Sequence, residues 1–253
     1  MRYTRGMVEA ETTKPQPESL HDIEMVSFDV WLTLIKSNPH FKPARSETMG
    51  KVLDFTGEIA EMNQIVRNVD ERLDHQSDSN GIQYGFQARV EAICEQLQGR
   101  ARPLTEQVLG ALEEEIASLM IQHPPLLLEH DLPDTLEQLK KRGKLAVVSN
   151  TGFIDGTYMR LALDTRGIWQ HIDVGIFSNE AGVAKPNPQI FRLLAQHAAL
   201  EPQKILHVGD NLKADYHGAR NAGLRALHLS KDETIRSEKI ATIRDLLTRL
   251  EAK

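Results

Sequence analysis

The chain has 253 residues, 40% of them apolar and 26% charged, which suffices for a buried core and lies between one large domain and two modest ones. Thirty Lys and Arg against 36 Asp and Glu give a formal charge of −6, and no basic block is longer than Lys140-Lys141-Arg142, which argues against nucleic acid as a partner. The single cysteine, Cys94, rules out an intramolecular disulfide, no apolar run approaches the ~20 residues of a membrane span, and no secretory leader is evident, so the expectation is a cytoplasmic protein without a membrane partner.

Residues 1–22 carry Lys14-Pro15-Gln16-Pro17 among acidic and polar residues, with no apolar periodicity, and read as a flexible extension that serves as a tether, a partner-binding segment or neither. Met25-Val26-Ser27-Phe28 is the first buried-looking run. It ends at Asp29 and leads into a second apolar stretch, Val30 to Ile35, as a core strand entering a loop would. From residue 37 to 125 apolar positions recur at threes and fours: Ile59, Met62, Val66, Val69 and Leu73, then Phe86, Val90, Ile93 and Leu97, then Val108, Leu112, Ile116 and Leu119. Breaks at Gln76–Gly81, Gly99–Pro103 and Pro124-Pro125 mark the expected connections between helices. Cys94 joins the second stripe as a packing thiol, and Glu113-Glu114-Glu115 reads as a solvated helical face.

Beyond Pro125, short strands alternate with helices. A helix from Asp134 to Arg142 closes at Gly143, strand Lys144–Ser149 follows, then a helix around Tyr158 and strand Ile172–Phe177. Asn187-Pro188 supplies a cap and a first-turn proline for a helix through Phe191 and Leu194, followed by strand Ile205–Val208, helix Leu212–Ala222 and strand Leu224–Leu229. Such alternation predicts an α/β fold, a Rossmann-like three-layer core with a parallel sheet, formed by residues 23–36 and 126–253 around an inserted all-helical cap of residues 37–125.

In open parallel sheets ligands bind beyond the carboxyl ends of the strands. Four places answer there: Asp29, Ser149-Asn150-Thr151, Lys185-Pro186 and Gly209-Asp210-Asn211. The ordered set Ser27-Phe28-Asp29-Val30-Trp31-Leu32-Thr33-Leu34, Val148-Ser149-Asn150-Thr151-Gly152, Gly182-Val183-Ala184-Lys185-Pro186-Asn187-Pro188 and His207-Val208-Gly209-Asp210-Asn211, continuing through Asp215 to Gly223, resembles the haloacid dehalogenase superfamily, whose helical-cap members carry an insert between the first two motifs.

The resemblance implies a magnesium-dependent phosphatase acting on a small molecule, with Asp29 as nucleophile. A carboxylate nucleophile, hard oxygen ligands and a fixed positive charge are what attack on phosphorus requires. The resemblance implies Asp29, Asp210 and the Trp31 carbonyl as magnesium ligands, with Asp215 either a further ligand or a group behind them. Catalysis and substrate binding fall to Lys185 and Ser149, and Asn150 and Trp31 join them as substrate contacts. Trp31 is equally explained as packing between core and cap. His207 reads as a strand histidine in a satisfied environment, whereas Lys36, His40, Phe41 and Arg45 fit either a substrate-facing cap entrance or a solvated helix start.

One position departs from the family's phosphatase pattern: two residues after the nucleophile, where those enzymes carry an acid/base aspartate, stands Trp31, and the next residue, often glycine, is Leu32. Losing a general acid is worth ~10²–10⁴ in rate, which would favour good leaving groups such as acyl phosphates. An aromatic residue there also resembles the family's metal-free dehalogenases, and a binding module without turnover is a third alternative.

Overall fold

The computed structural model describes residues 20–232, 234 and 238–251. Strand β1 (Met25–Phe28) leaves through a tight loop into the two-residue strand β2 (Ile35–Lys36). Four helices follow: α1 (Phe41–Val52), α2 (Ile59–Asn80), α3 (Phe86–Leu97) and α4 (Glu106–Gln122). The chain returns through β3 (Leu126–Leu127), antiparallel to β2, so a two-stranded ribbon joins the helices to the remainder. Then come α5 (Leu132–Lys140), β4 (Lys144–Ser149), α6 (Gly156–Asp164), β5 (Val174–Phe177), the single turn α7 (Ser178–Ala181), α8 (Pro188–Ala198) and β6 (Ile205–Gly209). A π-helical stretch, Leu212–His217, runs into α9 (Gly218–Asn221), and β7 (Arg225–Leu229), β8 (Lys239–Ile240) and α10 (Asp245–Arg249) follow.

Six strands form one parallel sheet in the order β5-β4-β1-β6-β7-β8. The strands are apolar because both faces are covered. Val26, Phe28, Leu145, Val147, Leu206 and Val208 point to one side, where Leu132, Leu136, Met159 and Leu163 of α5 and α6 pack. Met25, Ala146, Val148, Ile205 and Ala226 point to the other, against Ile190, Phe191 and Leu194 of α8. This period-two alternation fixes register, since a one-residue slip would turn Ser27 and His207 into the first cluster. The architecture is therefore the α/β one expected, a parallel sheet between two helical layers.

Several local expectations change. The break expected at Gln76–Gly81 comes only at its last residue: α2 continues to Asn80 and stops at Gly81, whose backbone is left-handed (φ +68°). The polar stretch stays helical because Ser77 is buried and Asp78 is held from outside the helix. The single helix expected over Leu212–Ala222 instead begins as a π-helix, with the amides of Asp215 and Tyr216 both directed at the Asn211 carbonyl. α5 starts two residues early and β5 two residues late. Of the expected N-terminal extension, residues 1–19 lie outside the described residues, while Leu20 packs into the core and Asp22 pairs with Arg225. Cys94 is half-buried against the core. Among the described residues no helix is long and apolar enough to cross a membrane.

Candidate active site

Strand order reverses beside β1: the chain first fills the sheet on the β4 side, then returns to the β6 side. That switch point is where a parallel sheet opens a crevice at its carboxyl edge. Asp29 follows β1 on one side of it and Asp210 follows β6 on the other. The Asp29 amide donates to the Val208 carbonyl (2.9 Å), so the ladder itself aims the carboxylate.

Lys185 lies at the centre. Its ammonium, 2% exposed, donates to Asp29 Oδ1 (2.6 Å) and Asp215 Oδ1 (2.7 Å). Asp215 Oδ1 also faces His207 Nε2 (3.2 Å), and its Oδ2 accepts the Asn211 amide (3.0 Å). Because Asp215 only accepts, His207 carries its proton on Nε2 and takes the Ser27 hydroxyl on Nδ1 (2.8 Å). His207 is thus satisfied inside the core, and Asp215 spends both oxygens on orienting Lys185 and the loop after β6.

The charges are unequal. Burial drives the Asp29 carboxyl up to about 7; Lys185 pulls it down, and the neighbouring Asp215 and Asp210 charges push it up again. Burial and Asp215 likewise raise Asp210 to about 6. Burial also pushes Asp215 upward, but Lys185 and His207 outweigh it and hold that carboxyl well below the usual range. Burial alone would depress the Lys185 ammonium, and Asp215 with Asp29 raises it instead. Two buried carboxyls and the half-buried Asp210 thus face one cation. Oxygens of Asp29, Asp210 and Asp215 lie within 4.8 Å of one another, a hard-donor set with surplus negative charge that fits a hard divalent cation. Asp210 Oδ2 carries no bond among the described residues and each Asp29 oxygen faces one donor, whereas Asp215 is engaged three times, by Lys185, His207 and the Asn211 amide.

The loop after Asp29 supports this set. Leu34 and Ile35 amides donate to the Val30 carbonyl and the Leu32 amide donates to the Ile35 carbonyl, a pattern that leaves the Trp31 carbonyl without a donor among the described residues. Thr33, fully buried, places its hydroxyl 3.2 Å from Asp29 Oδ2 and 3.4 Å from Asp210 Oδ1. Thr33 was visible in the first motif, but only the turn of the loop brings it beneath both carboxylates. Leu32 adopts the left-handed conformation (φ +60°) that favours glycine.

Not every expected contact faces the same way. Ser149 is fully buried and its hydroxyl lies against the Asn150 carbonyl (3.3 Å), behind the surface that lines the cavity. Asn150 clamps the Lys185 backbone, its Nδ2 donating to the Lys185 carbonyl (3.0 Å) and its Oδ1 accepting the Lys185 amide (2.8 Å). Its side chain therefore positions the lysine. Asp29, Trp31, Asn150, Lys185, Asp210 and Asp215 all border one cavity of about 370 Å³.

The helical insert forms the opposite wall. Phe41 and Arg45 of α1 line it, while Lys36 and His40 stay exposed outside. Arg45, 5% exposed, stacks over Phe153 (4.2 Å to the ring centroid) and pairs with Asp70 (3.1 Å). Arg89 bonds Asp70 and Asp74 and donates to the Tyr84 carbonyl (2.9 Å). Asp70, Asp74 and Asp78 recur every fourth residue on α2, so one helical face carries all three into the cavity. That spacing was legible; which face of α2 turned inward was not.

A family model of haloacid dehalogenase-like hydrolases matches residues 23–223. Mouse (Mus musculus) haloacid dehalogenase-like hydrolase domain-containing protein 3 is 36% identical over 104 residues, 41% of this chain and 40% of that protein. The phosphoserine phosphatase of Thermus thermophilus is 32% identical over 96 residues, 38% of each chain, so the aligned segments span about two fifths of these curated relatives. The HAD-hydrolase YfnB from Bacillus subtilis bound to magnesium superposes with a TM-score of 0.66 at 17% identity, over 91% of this chain and 99% of that one. A 2-haloacid dehalogenase from Pseudomonas syringae gives 0.63 at 19% identity, over 90% and 98%. With a matched span that runs from before β1 to beyond α9 and takes in all four strand-end motifs, the chain belongs to the haloacid dehalogenase-like hydrolases.

Proposed function

We propose that the protein is a magnesium-dependent phosphatase acting on a small phosphorylated molecule through an aspartyl-phosphate on Asp29. The observation that carries this reading is the Lys185 ammonium held between Asp29 and Asp215, with Asp210 beside them at the sheet's switch point. A phosphoryl group seated there meets a carboxylate aimed by the β1 ladder and an ammonium that neutralises charge on its oxygens. Asp29 Oδ attacks phosphorus while the bond to the leaving oxygen breaks; water then attacks the same phosphorus and Asp29 is released with inorganic phosphate. Asp29, Asp210 and the Trp31 carbonyl would hold magnesium, with Asp215 behind them as the partner of Lys185. The ion, when bound, supplies charge neutralisation at the phosphoryl oxygens. Thr33 and Asn150 fix the nucleophile and the lysine, and the backbone after Ser149 contacts substrate oxygens. A cavity of about 370 Å³ suits a small molecule. Phosphatases among the relatives, including the Thermus thermophilus enzyme, support the same chemistry.

A second reading rests on Trp31, which lines the cavity where a proton donor would serve a phosphate ester. Departing halide needs no proton, so metal-free dehalogenation through Asp29 is compatible with that residue. Surplus negative charge around Asp210 favours the phosphatase. Phosphate release from acetyl phosphate and from phenyl phosphate, with magnesium and with chelator, in wild type and Asp29→Asn, tests the choice. Release that needs both magnesium and Asp29 is expected. No release from either compound, together with metal-independent halide release from 2-haloacids, would replace the phosphatase with the dehalogenase.

A further inference from the structure

We propose that Asp78, carried by the cap helix α2, is the proton donor to the leaving group of this site. The inference rests on the phosphatase reading. Of the carboxyls that border the cavity, Asp29 and Asp215 are bound to Lys185, Asp70 to Arg45 and Arg89, and Asp74 to Arg89. Asp210 lies with Asp29, over the Thr33 hydroxyl that both share. Asp78 differs from all of these. Its one hydrogen bond among the described residues comes from a neutral group, Asn211 Nδ2 to Oδ2 (2.6 Å), no cation pairs with it there, and the residue borders the cavity from the insert.

Its position is built rather than incidental. Asn211 Oδ1 accepts the amides of Lys213 and Ala214 (3.0 Å each), so the amide group has no choice but to turn Nδ2 outward to Asp78. The end of α2 is pinned to the core three to five residues beyond Asp78: the Gly81 carbonyl accepts the Ala184 amide (2.9 Å), Ile82 bridges to Val183, and Gln83 Nε2 donates to the Thr151 carbonyl (2.9 Å). Asp78 is therefore fixed between the loop that carries Lys185 and the loop that carries Asp210. With the phosphoryl group against Asp29 and Lys185, the remainder of a substrate that fills the cavity extends towards the insert wall, which Asp78 borders. Burial raises the Asp78 carboxyl against the pull of the Asn211 amide, and Asp74 adds to the rise, which favours the protonated form a donor needs.

In the first step Asp29 forms its bond to phosphorus, the bond from phosphorus to the leaving oxygen breaks, and the Asp78 proton passes to that oxygen. In the second, Asp78, now a carboxylate, takes a proton from the attacking water as the bond from phosphorus to Asp29 breaks. Proton and charge balance over the cycle.

The test compares kcat/KM for phenyl phosphate, a poor leaving group, with that for 4-nitrophenyl phosphate, a good one, in wild type, Asp78→Asn and Asp78→Glu with magnesium. For Asp78→Asn, kcat/KM on phenyl phosphate should fall ~10²–10⁴-fold and that on 4-nitrophenyl phosphate by less than about fivefold. A stoichiometric burst of 4-nitrophenolate should precede slow turnover, because the second step has lost its base. Asp78→Glu should recover part of the phenyl phosphate activity. Equal losses on both esters, or none on either, would overturn the assignment of Asp78, as would a wild type that cleaves only the nitrophenyl ester. A wild type that releases no phosphate from these esters or from acetyl phosphate would overturn the phosphatase reading itself, and the assignment with it.

Discussion

Leu32 holds a backbone conformation from which its side chain gains little, being 58% exposed at φ +60°. A left-handed non-glycine residue costs about 1–2 kcal/mol, while glycine loses about 0.5–1 kcal/mol more chain entropy on folding. Leu32→Gly should therefore raise stability by about 0.5–1 kcal/mol, read as a higher urea midpoint at unchanged slope. A lower midpoint would mean that the isobutyl group contributes more to the loop than its exposure indicates. The loop keeps its shape because its bonds are made elsewhere, through Val30, Ile35 and the buried Thr33. Sequence alone marked position 32 as departing from the family pattern. It could not show that the backbone remained left-handed, since φ is set by the closure of residues 30–35 on themselves.

At the scale of the element, α2 is the decisive piece. Its apolar stripe was legible as Ile59, Met62, Val66, Val69 and Leu73; all but Ile59, which is exposed at the helix start, are buried, and the stripe ends about two turns before the helix does. The last turns are polar and persist because Gly81 stops the helix where it docks on the core. A Cβ on Gly81 would sit 2.8 Å from Asn187 Cβ and 3.1 Å from the Asn187 amide nitrogen, at φ +68°. Gly81→Ala combines left-handed strain with that clash, and should cost about 2 kcal/mol in chemical denaturation. It should also reduce phosphatase activity on phenyl phosphate more than on 4-nitrophenyl phosphate, because the docking that it disturbs aims Asp78. A loss of stability with no change in the ratio of the two rates would separate the helix stop from the site.

For the whole molecule, the parallel topology gathers residues that are 181 positions apart, Asp29 and Asp210, at one edge, and gathers like charge with them. Folding therefore works against repulsion among three carboxyls, which a bound divalent cation would relieve. Magnesium at about 100-fold over its Kd should add about 2.7 kcal/mol to stability, about 5–10 °C in Tm for a chain of this size. Chelator should reverse the shift, and Asp210→Asn should melt at nearly the same temperature with and without the ion. An equal rise in both proteins would place the stabilising ion elsewhere. Arg45 and Arg89, both buried, pair with the half-buried Asp70 on the side of the helical insert and keep that wall near neutrality, so the effect of the ion is expected on the opposite wall.

The amino-acid sequence by itself determined the α/β class, the alternation of strand and helix after Pro125, and the order of the chemical segments at the strand ends. These features are legible because period-two and period-three-to-four patterns are local, and because a parallel strand must release its chain at one edge. Asn187 at a helix start and Gly81 at a helix end are of the same kind, each written within a few residues. Tertiary structure alone decided which side chains meet. Asn150 turns to the Lys185 backbone, Ser149 lies behind the cavity wall, Asp215 is bound by Lys185 and His207, and Asp78 comes within reach of Asn211, 133 positions away. Each of these depends on how a helix is rotated or a loop is closed against a distant segment. Those rotations minimise the energy of the packed whole, and no local pattern records them.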